Sequence, residues 1–300
     1  MKIPLAQQQA FLIENGLPIE YLEAANTWFE PFANAIIQQS ILSDVPLVIG
    51  INGCQGSGKT TFAEYLVLML NAAKVNTMNM SMDDFYLTRS QRNILGSSVH
   101  PLLKTRGVPG THDVNLLLDT LSHLKQGHHN VAVPKFNKAL DDRAPQQNWP
   151  VYSGPFDVII LEGWCLAVPA QTQEELLVAV NELELMQDPE GIWRQYVNQA
   201  LLHEYSNVWE GIDYTIMLKA PSFNCVYQWR WQQEQKLLEK TSDFQASKGL
   251  LSQDTLKVFI QYFERLTTHA LKTVPELCQH VFYLDEQREV VKYEIQRRDN

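Results

Sequence analysis

Residues 53–60, Gly53-Cys54-Gln55-Gly56-Ser57-Gly58-Lys59-Thr60, fit the pattern G-x-x-x-x-G-K-[ST]. The spacing suits a chain of phosphates. Glycines let successive backbone N–H groups turn inward on phosphate oxygens, and a following helix presents its positive N-terminal end. Lys59 is expected to reach the β and γ phosphates of ATP, and Thr60 to hold Mg²⁺. The nucleotide-binding candidates therefore run from Gly53 through Thr61, with Cys54, Gln55 and Ser57 as loop residues whose backbone makes the contacts.

Acidic residues sort themselves by their place on the neighbouring strands. In a parallel α/β sheet, ligands bind beyond the carboxyl ends of the strands. Glu162 directly follows the apolar run Val158–Leu161 and so emerges beside the phosphates, as a candidate metal ligand with Thr60. Asp157 begins the same run. At ~3.3 Å rise per residue it lies roughly 17 Å from Glu162, at the far edge of the sheet, and reads as structural. Asp83 and Asp84 emerge from the run Val75–Met80 on the ligand edge. Phosphoryl transfer to a hydroxyl needs a carboxylate that orients the hydroxyl and takes its proton, and by spacing either aspartate serves.

Five short strand candidates supply the frame: Val45–Ile51, Val75–Met80, Asp157–Leu161, Tyr214–Leu218 and Val281–Leu284. Helical spacing fills the stretches between, as in Thr60–Asn71, Asp113–Lys125, Val226–Lys240 and Leu256–Leu271. Strands alternating with helices predict an α/β, P-loop NTPase fold: a five-stranded, mostly parallel sheet flanked by helices. The expected organisation is one domain over 1–300. Residues 1–44 form an N-terminal helical extension split or kinked at Pro31, 165–210 a helical insertion, and 222–275 a lid and C-terminal helices. Residues 96–111, rich in glycine, proline and basic side chains, read as a working loop.

The formal net charge of −10 argues against nucleic acid or an anionic membrane as partner, because both call for a basic face. A small anionic substrate needs only a local basic cluster. Four widely spaced cysteines suggest neither a disulfide framework nor a zinc site. The first 16 residues lack the layout of a secretory signal, so a cytoplasmic location is the default expectation. The oligomeric state is open.

The stretches Gly53–Thr61, Asp83-Asp84-Phe85-Tyr86 and Glu162-Gly163-Trp164 together resemble the uridine kinase, phosphoribulokinase and pantothenate kinase superfamily. Four more selective stretches narrow the resemblance to the plant-type D-glycerate 3-kinase group: Arg106-Gly107-Val108-Pro109-Gly110-Thr111-His112-Asp113, Pro134–Lys138, Asp142-Arg143, and Tyr227-Gln228-Trp229-Arg230 with Gln233-Glu234. The match runs from about residue 20 onward. It implies Asp83 as catalytic base, with Asp84 in a substrate or metal-shell role. It also raises Tyr86, Arg106, His112, Lys138 and Arg143 as substrate-binding candidates. The family segment P-x-Y-D-K appears here with Phe136 and Asn137, which removes a negative charge from the substrate segment.

Arg230 falls on the helix after the fourth strand, where P-loop kinases carry a lid that stabilises charge on the transferring group. The other reading of Arg230 is an ion pair with Glu234 at i,i+4. The Trp229 and Trp231 pair is expected to pack this helix rather than stack on adenine. The expected activity is ATP-dependent phosphorylation of a small hydroxy acid, in its most specific form D-glycerate giving 3-phosphoglycerate. A nucleoside, a pantothenate-like acid or a sugar phosphate is the alternative acceptor. A nucleotide switch is disfavoured, since Asn137-Lys138-Ala139-Leu140 lacks the final aspartate of a guanine-reading motif.

Overall fold

The computed structural model describes residues 3–240 and 253–296, with 233, 234 and 236–240 as backbone alone. Its strands are β1 (Leu47–Gly53), β2 (Thr77–Ser81), β3 (Val131–Ala132), β4 (Phe136–Asn137), β5 (Asp142–Arg143), β6 (Val151–Tyr152), β7 (Val158–Gly163), β8 (Tyr214–Lys219), β9 (His280–Leu284) and β10 (Val290–Ile295). Six of them form the central sheet in the order β10-β9-β8-β1-β7-β2. All neighbours run parallel except β10, which returns antiparallel to β9.

The five expected strands thus become five parallel strands, and the sheet gains a sixth that sequence reading leaves out. Val290–Ile295 is a half-exposed edge strand carrying Lys292 and Glu294, so it lacks the continuous apolar run of a strand buried on both faces.

Alternating side chains of β1 serve two cores. Leu47, Ile49 and Ile51 face a layer that includes Phe32, Ile36, Phe62, Leu66 and Trp229. Val48 faces the other, with Leu117, Leu121, Trp193, Phe263 and Leu266. Asp157 sits at the far edge of the sheet, where its carboxylate accepts the Asn76 N–H at 2.7 Å.

Register brings the ligand edge to one level. Glu162 on β7 pairs with Ile51 on β1 and with Ser81 on β2. The phosphate loop, Glu162 and the Met82–Phe85 turn therefore leave the sheet side by side.

At the N-terminus, Pro31 does not break the helix. A π-helical stretch, Ala25–Phe29, joins Glu20–Ala24 to Glu30–Leu42, with the Glu30 N–H bonded to the Ala25 carbonyl. Widening the turn just before proline accommodates a residue that has no N–H to donate.

The expected working loop at 96–111 is partly ordered helix. Arg89–Ser98 is an α-helix closed by a Thr88/Gln91 capping box, worth about 1 kcal/mol, and Pro101–Lys104 is a 3₁₀ turn. The helical insertion holds three short helices, Gln173–Leu176, Glu182–Gln187 and Ile192–Ala200. A π-helical turn, Leu201–Tyr205, and the helix Ser206–Glu210 complete it. No helix among the described residues is long and apolar enough to cross a membrane.

Candidate active site

The phosphate loop leaves β1 at Gly53 and enters the helix Lys59–Ala72 through Gly58, which has φ +88°. Gly56 has φ +79°, and a Cβ there would lie 2.7 Å from Trp229 Cβ and 3.1 Å from its backbone carbon. Only glycine meets both demands, a left-handed backbone and direct contact with a neighbouring helix. That helix is Phe223–Lys240, and Trp229 is fully buried. Its indole N–H donates to the Glu286 carbonyl, in the β9–β10 turn, at 2.7 Å. Trp229 is therefore a packing residue, in line with the expectation. Cys54 is buried, and burial pushes its thiol up to about 12.

Thr60 and Lys59 both turn toward Glu162. The Thr60 hydroxyl donates to Glu162 Oε1 at 2.9 Å, and Lys59 Nζ lies 3.8 Å from Oε2. Glu162 is 2% exposed, and its Oε2 has no hydrogen-bond partner. The hydroxyl of Ser57 and both polar atoms of the Gln55 side chain are likewise buried without partners. Orphaned polar atoms around a glycine loop fit a ligand rich in oxygens with its cation. Thr60 Oγ1 and Glu162 have the hard oxygen donors that Mg²⁺ takes, and Lys59 supplies charge for phosphate.

Asp83 stands across from this cluster. Tyr86 donates its hydroxyl to Oδ1 at 2.8 Å, and Lys138 Nζ lies 2.7 Å from Oδ2. Burial pushes the carboxyl up, but the charges of Lys138 and Lys59 and the two hydrogen bonds outweigh it and hold Asp83 well below the usual carboxylate range. Asp83 in turn raises the Lys138 ammonium. Asp84 points elsewhere. Its two oxygens take Lys135 Nζ at 2.9 Å and the Phe136 N–H at 3.1 Å, so it holds the start of the β4–β5 hairpin.

The hairpin carries Lys138 and Arg143, and Arg106 reaches its tip from outside, each already paired with a carboxylate. Arg143 directs its guanidinium at Asp113, with two contacts of 3.1 Å, and at the Tyr86 carbonyl. These contacts brace the hairpin against the Tyr86–Asp113 segment. Asn137 folds its side-chain oxygen onto the Ala139 and Leu140 N–H groups. Arg106 pairs with Asp141 and lies 5.3 Å from the Phe136 ring. Arg92, 1% exposed, reaches the Asp141 carboxylate at 3.0 Å and the carbonyls of Leu87, Lys104 and Asp141.

Asp141 was not a sequence candidate. Its place as the hub of three arginines, Arg89, Arg92 and Arg106, depends on a left-handed backbone (φ 52°) at the hairpin tip, and the only local signal was the doubled Asp141-Asp142 before Arg143.

His112 is buried, stacked on Tyr86 at 4.5 Å, with Nδ1 2.5 Å from the Tyr205 hydroxyl. Gly110, two residues earlier, has φ +88° and no room for a Cβ against Tyr196. Burial lowers the His112 imidazole to about 4, Asp83 opposing, and burial lowers His280 likewise to about 4 beside Tyr293. Both histidines are neutral when folded and titrate near 6.5 when unfolded.

Their stability contribution is therefore complete above pH 6.5 and lost as pH falls toward 4. Two such groups steepen the loss by roughly 2.7 kcal/mol per pH unit in that window. Burial lowers His269 in the same direction, so unfolding free energies from urea titrations between pH 6.5 and 4.5 should fall at least this steeply, and His280→Gln should remove about one proton's share of it. An unchanged slope in the variant would refute the assignment.

Arg230 is half-buried on the Phe223–Lys240 helix, one residue after Trp229. The Glu234 side chain and the rest of the Gln233-Glu234 expectation lie outside the described residues.

Residues 48–186 match the family model "Phosphoribulokinase / Uridine kinase family". An uncharacterized kinase of Schizosaccharomyces pombe is 30% identical over 249 residues, 80% of this chain and 81% of that one. The chain belongs to the phosphoribulokinase/uridine kinase family. Membership makes it a P-loop kinase, an ATP-dependent phosphotransferase. Within the family it is also similar to the chloroplastic D-glycerate 3-kinase of Arabidopsis thaliana, 33% identical over 199 residues, which cover 63% of this chain and 41% of the plant protein. A solved structure described as D-glycerate 3-kinase from Cryptococcus neoformans superposes with a TM-score of 0.74 at 26% identity. It covers 89% of this chain and 97% of its own.

Proposed function

We propose that this kinase transfers the γ-phosphoryl group of ATP to a hydroxyl of a small hydroxy acid, D-glycerate giving 3-phosphoglycerate being the specific form. The observation that carries it is the pairing of Asp83 with Lys138 and Tyr86, opposite Lys59, Thr60 and Glu162. The glycerate kinases among its relatives support the acceptor. So does the charge pattern. Lys135, Lys138, Arg106 and Arg143 each already face a carboxylate. Arg89, Arg92 and Arg106 share Asp141, with Asp142 beside it, which leaves a modest positive excess suited to one carboxylate rather than a dianionic phosphate ester.

In this reading Lys59 and the loop N–H groups, from Gly53 to Thr61, hold the phosphates. Thr60 and Glu162 hold Mg²⁺, which when bound neutralises charge on the phosphate oxygens. Asp83 orients the attacking hydroxyl. Its low proton affinity means that it takes the proton late, once the new P–O bond has made that hydroxyl strongly acidic, as a loose transition state allows. Lys138 and Tyr86 fix the carboxylate while it waits, and Arg106 draws the substrate carboxylate. Asp84 and Arg143 position the hairpin. In a single domain over 1–300, the lid is borne by the Phe223–Lys240 helix, Gln253–Leu277 is a C-terminal helix packed into the core, and Arg230 stabilises the transferring group.

The test is ADP release with hydroxy acids, nucleosides, pantothenate and sugar phosphates as acceptors. D-Glycerate should raise turnover at least roughly a hundredfold over water as acceptor, with the phosphate on the 3-position. Turnover with a nucleoside and with no hydroxy acid would reject the acceptor class while keeping the kinase.

A further inference from the structure

The Tyr205 hydroxyl accepts the Gly110 N–H at 3.0 Å and lies 2.5 Å from His112 Nδ1. Tyr205 is fully buried, and burial lifts its phenol well above the ordinary value, so it keeps its proton. That proton needs an acceptor. Among the described residues, His112 Nδ1 is the one acceptor in hydrogen-bond contact with this hydroxyl. A neutral imidazole that accepts at Nδ1 carries its own proton on Nε2.

Nε2 is buried and has no hydrogen-bond partner, and His112 as a whole is 3% exposed. A buried donor without an acceptor is destabilising and calls for an explanation. The ring is stacked on Tyr86, whose hydroxyl bonds Asp83, so the vacant donor belongs to the wall of the acceptor site. Tyr205 reaches it from the π-helical turn Leu201–Tyr205. Such turns are rare and frequently mark functional positions.

We propose that Tyr205 is a positioning residue that fixes His112 as a neutral Nε2–H donor, and that this N–H donates to an oxygen of the phosphoryl acceptor. The inference rests on the hydroxy-acid kinase reading above and adds to it a residue of the insertion, 93 positions away in sequence. It gives the acceptor a neutral donor beside the cationic ones. A neutral donor binds a hydroxyl oxygen as readily as a carboxylate and does not compete for the proton that Asp83 receives.

The experiment uses the full chain labelled with ¹⁵N-histidine. Without substrate, the His112 ring nitrogens should show the Nε2–H tautomer, a readout independent of activity. Saturating D-glycerate with a non-hydrolysable ATP analogue should move the Nε2–H resonance and leave His280 in place. Tyr205→Phe should raise the KM for D-glycerate roughly tenfold with the KM for ATP within about twofold. His112→Gln, which keeps a side-chain N–H, should retain more acceptor affinity than His112→Leu.

An Nδ1–H tautomer overturns the proposal. So does an Nε2–H resonance indifferent to an acceptor that the enzyme phosphorylates, or a Tyr205→Phe defect shared equally by ATP. If the wild type phosphorylates no hydroxy acid, the underlying reading fails first and the donor role falls with it, while the tautomer still reads out.

Discussion

Asp83→Asn should lower kcat about a thousandfold and leave ATP binding intact or slightly tighter. The replacement keeps the shape and the hydrogen bond to Tyr86 but cannot take a proton. It also removes a negative charge from a site built for a polyanion, where Lys59 and Lys138 now share their charge with Asp83. Asp84→Asn provides the contrast. The asparagine side chain would still accept the Phe136 N–H and would lose only the attraction of Lys135, which is more than half exposed, so its effect should stay under about tenfold and fall on the acceptor KM. Steady-state kinetics with ATP and D-glycerate varied in turn, together with nucleotide binding by calorimetry, separate the two. A collapse of kcat in the Asp84 variant with Asp83→Asn near wild type would reverse the assignment.

Arg265→Met should destabilise the fold by about 3–5 kcal/mol. Arg265 on the Gln253–Leu277 helix meets Glu184 of the insertion in a bidentate pair at 2.7 and 2.6 Å, and it also donates to the carbonyls of Glu175 and Val178. Glu184 is wholly buried. Losing the guanidinium therefore strands a carboxylate and two carbonyls away from water. The double variant Arg265→Met with Glu184→Leu should be far milder than the single one, because no buried charge then lacks a partner. Urea unfolding of the four proteins closes the cycle. A single-variant loss below about 1 kcal/mol would mean that water reaches the pair.

How much of this was legible in the sequence depended on whether a residue's role was local. The phosphate loop and Glu162 were legible because each follows an apolar run buried on both faces, and Asp83 because it lies just past the end of the neighbouring strand, at the edge where such strands locate the site. Val290–Ile295 escaped because an edge strand is wetted and carries charges. Arg89–Ser98 escaped because it is largely polar and its register is set by caps. The basic residues were visible as charges, but their partners were not. Arg143 on Asp113, Arg106 on Asp141 and His112 on Tyr205 are contacts across 30, 35 and 93 residues. Nothing in composition or spacing encodes which carboxylate a guanidinium will meet. Which carboxylate each basic candidate meets is thus something only the folded chain reveals.

The contact of Gly56 with Trp229, and of Trp229 with the Glu286 carbonyl, ties three distant parts of the chain into one mechanical unit. The root of the Phe223–Lys240 helix is seated on the phosphate loop and stapled to the β9–β10 turn, so it cannot swing without deforming the cradle. Any closing motion must hinge beyond Trp229, toward the far end of that helix. In the proposed mechanism, Arg230, the next residue, acts from this fixed root, while the edge hairpin serves as the back wall against which the loop keeps its shape.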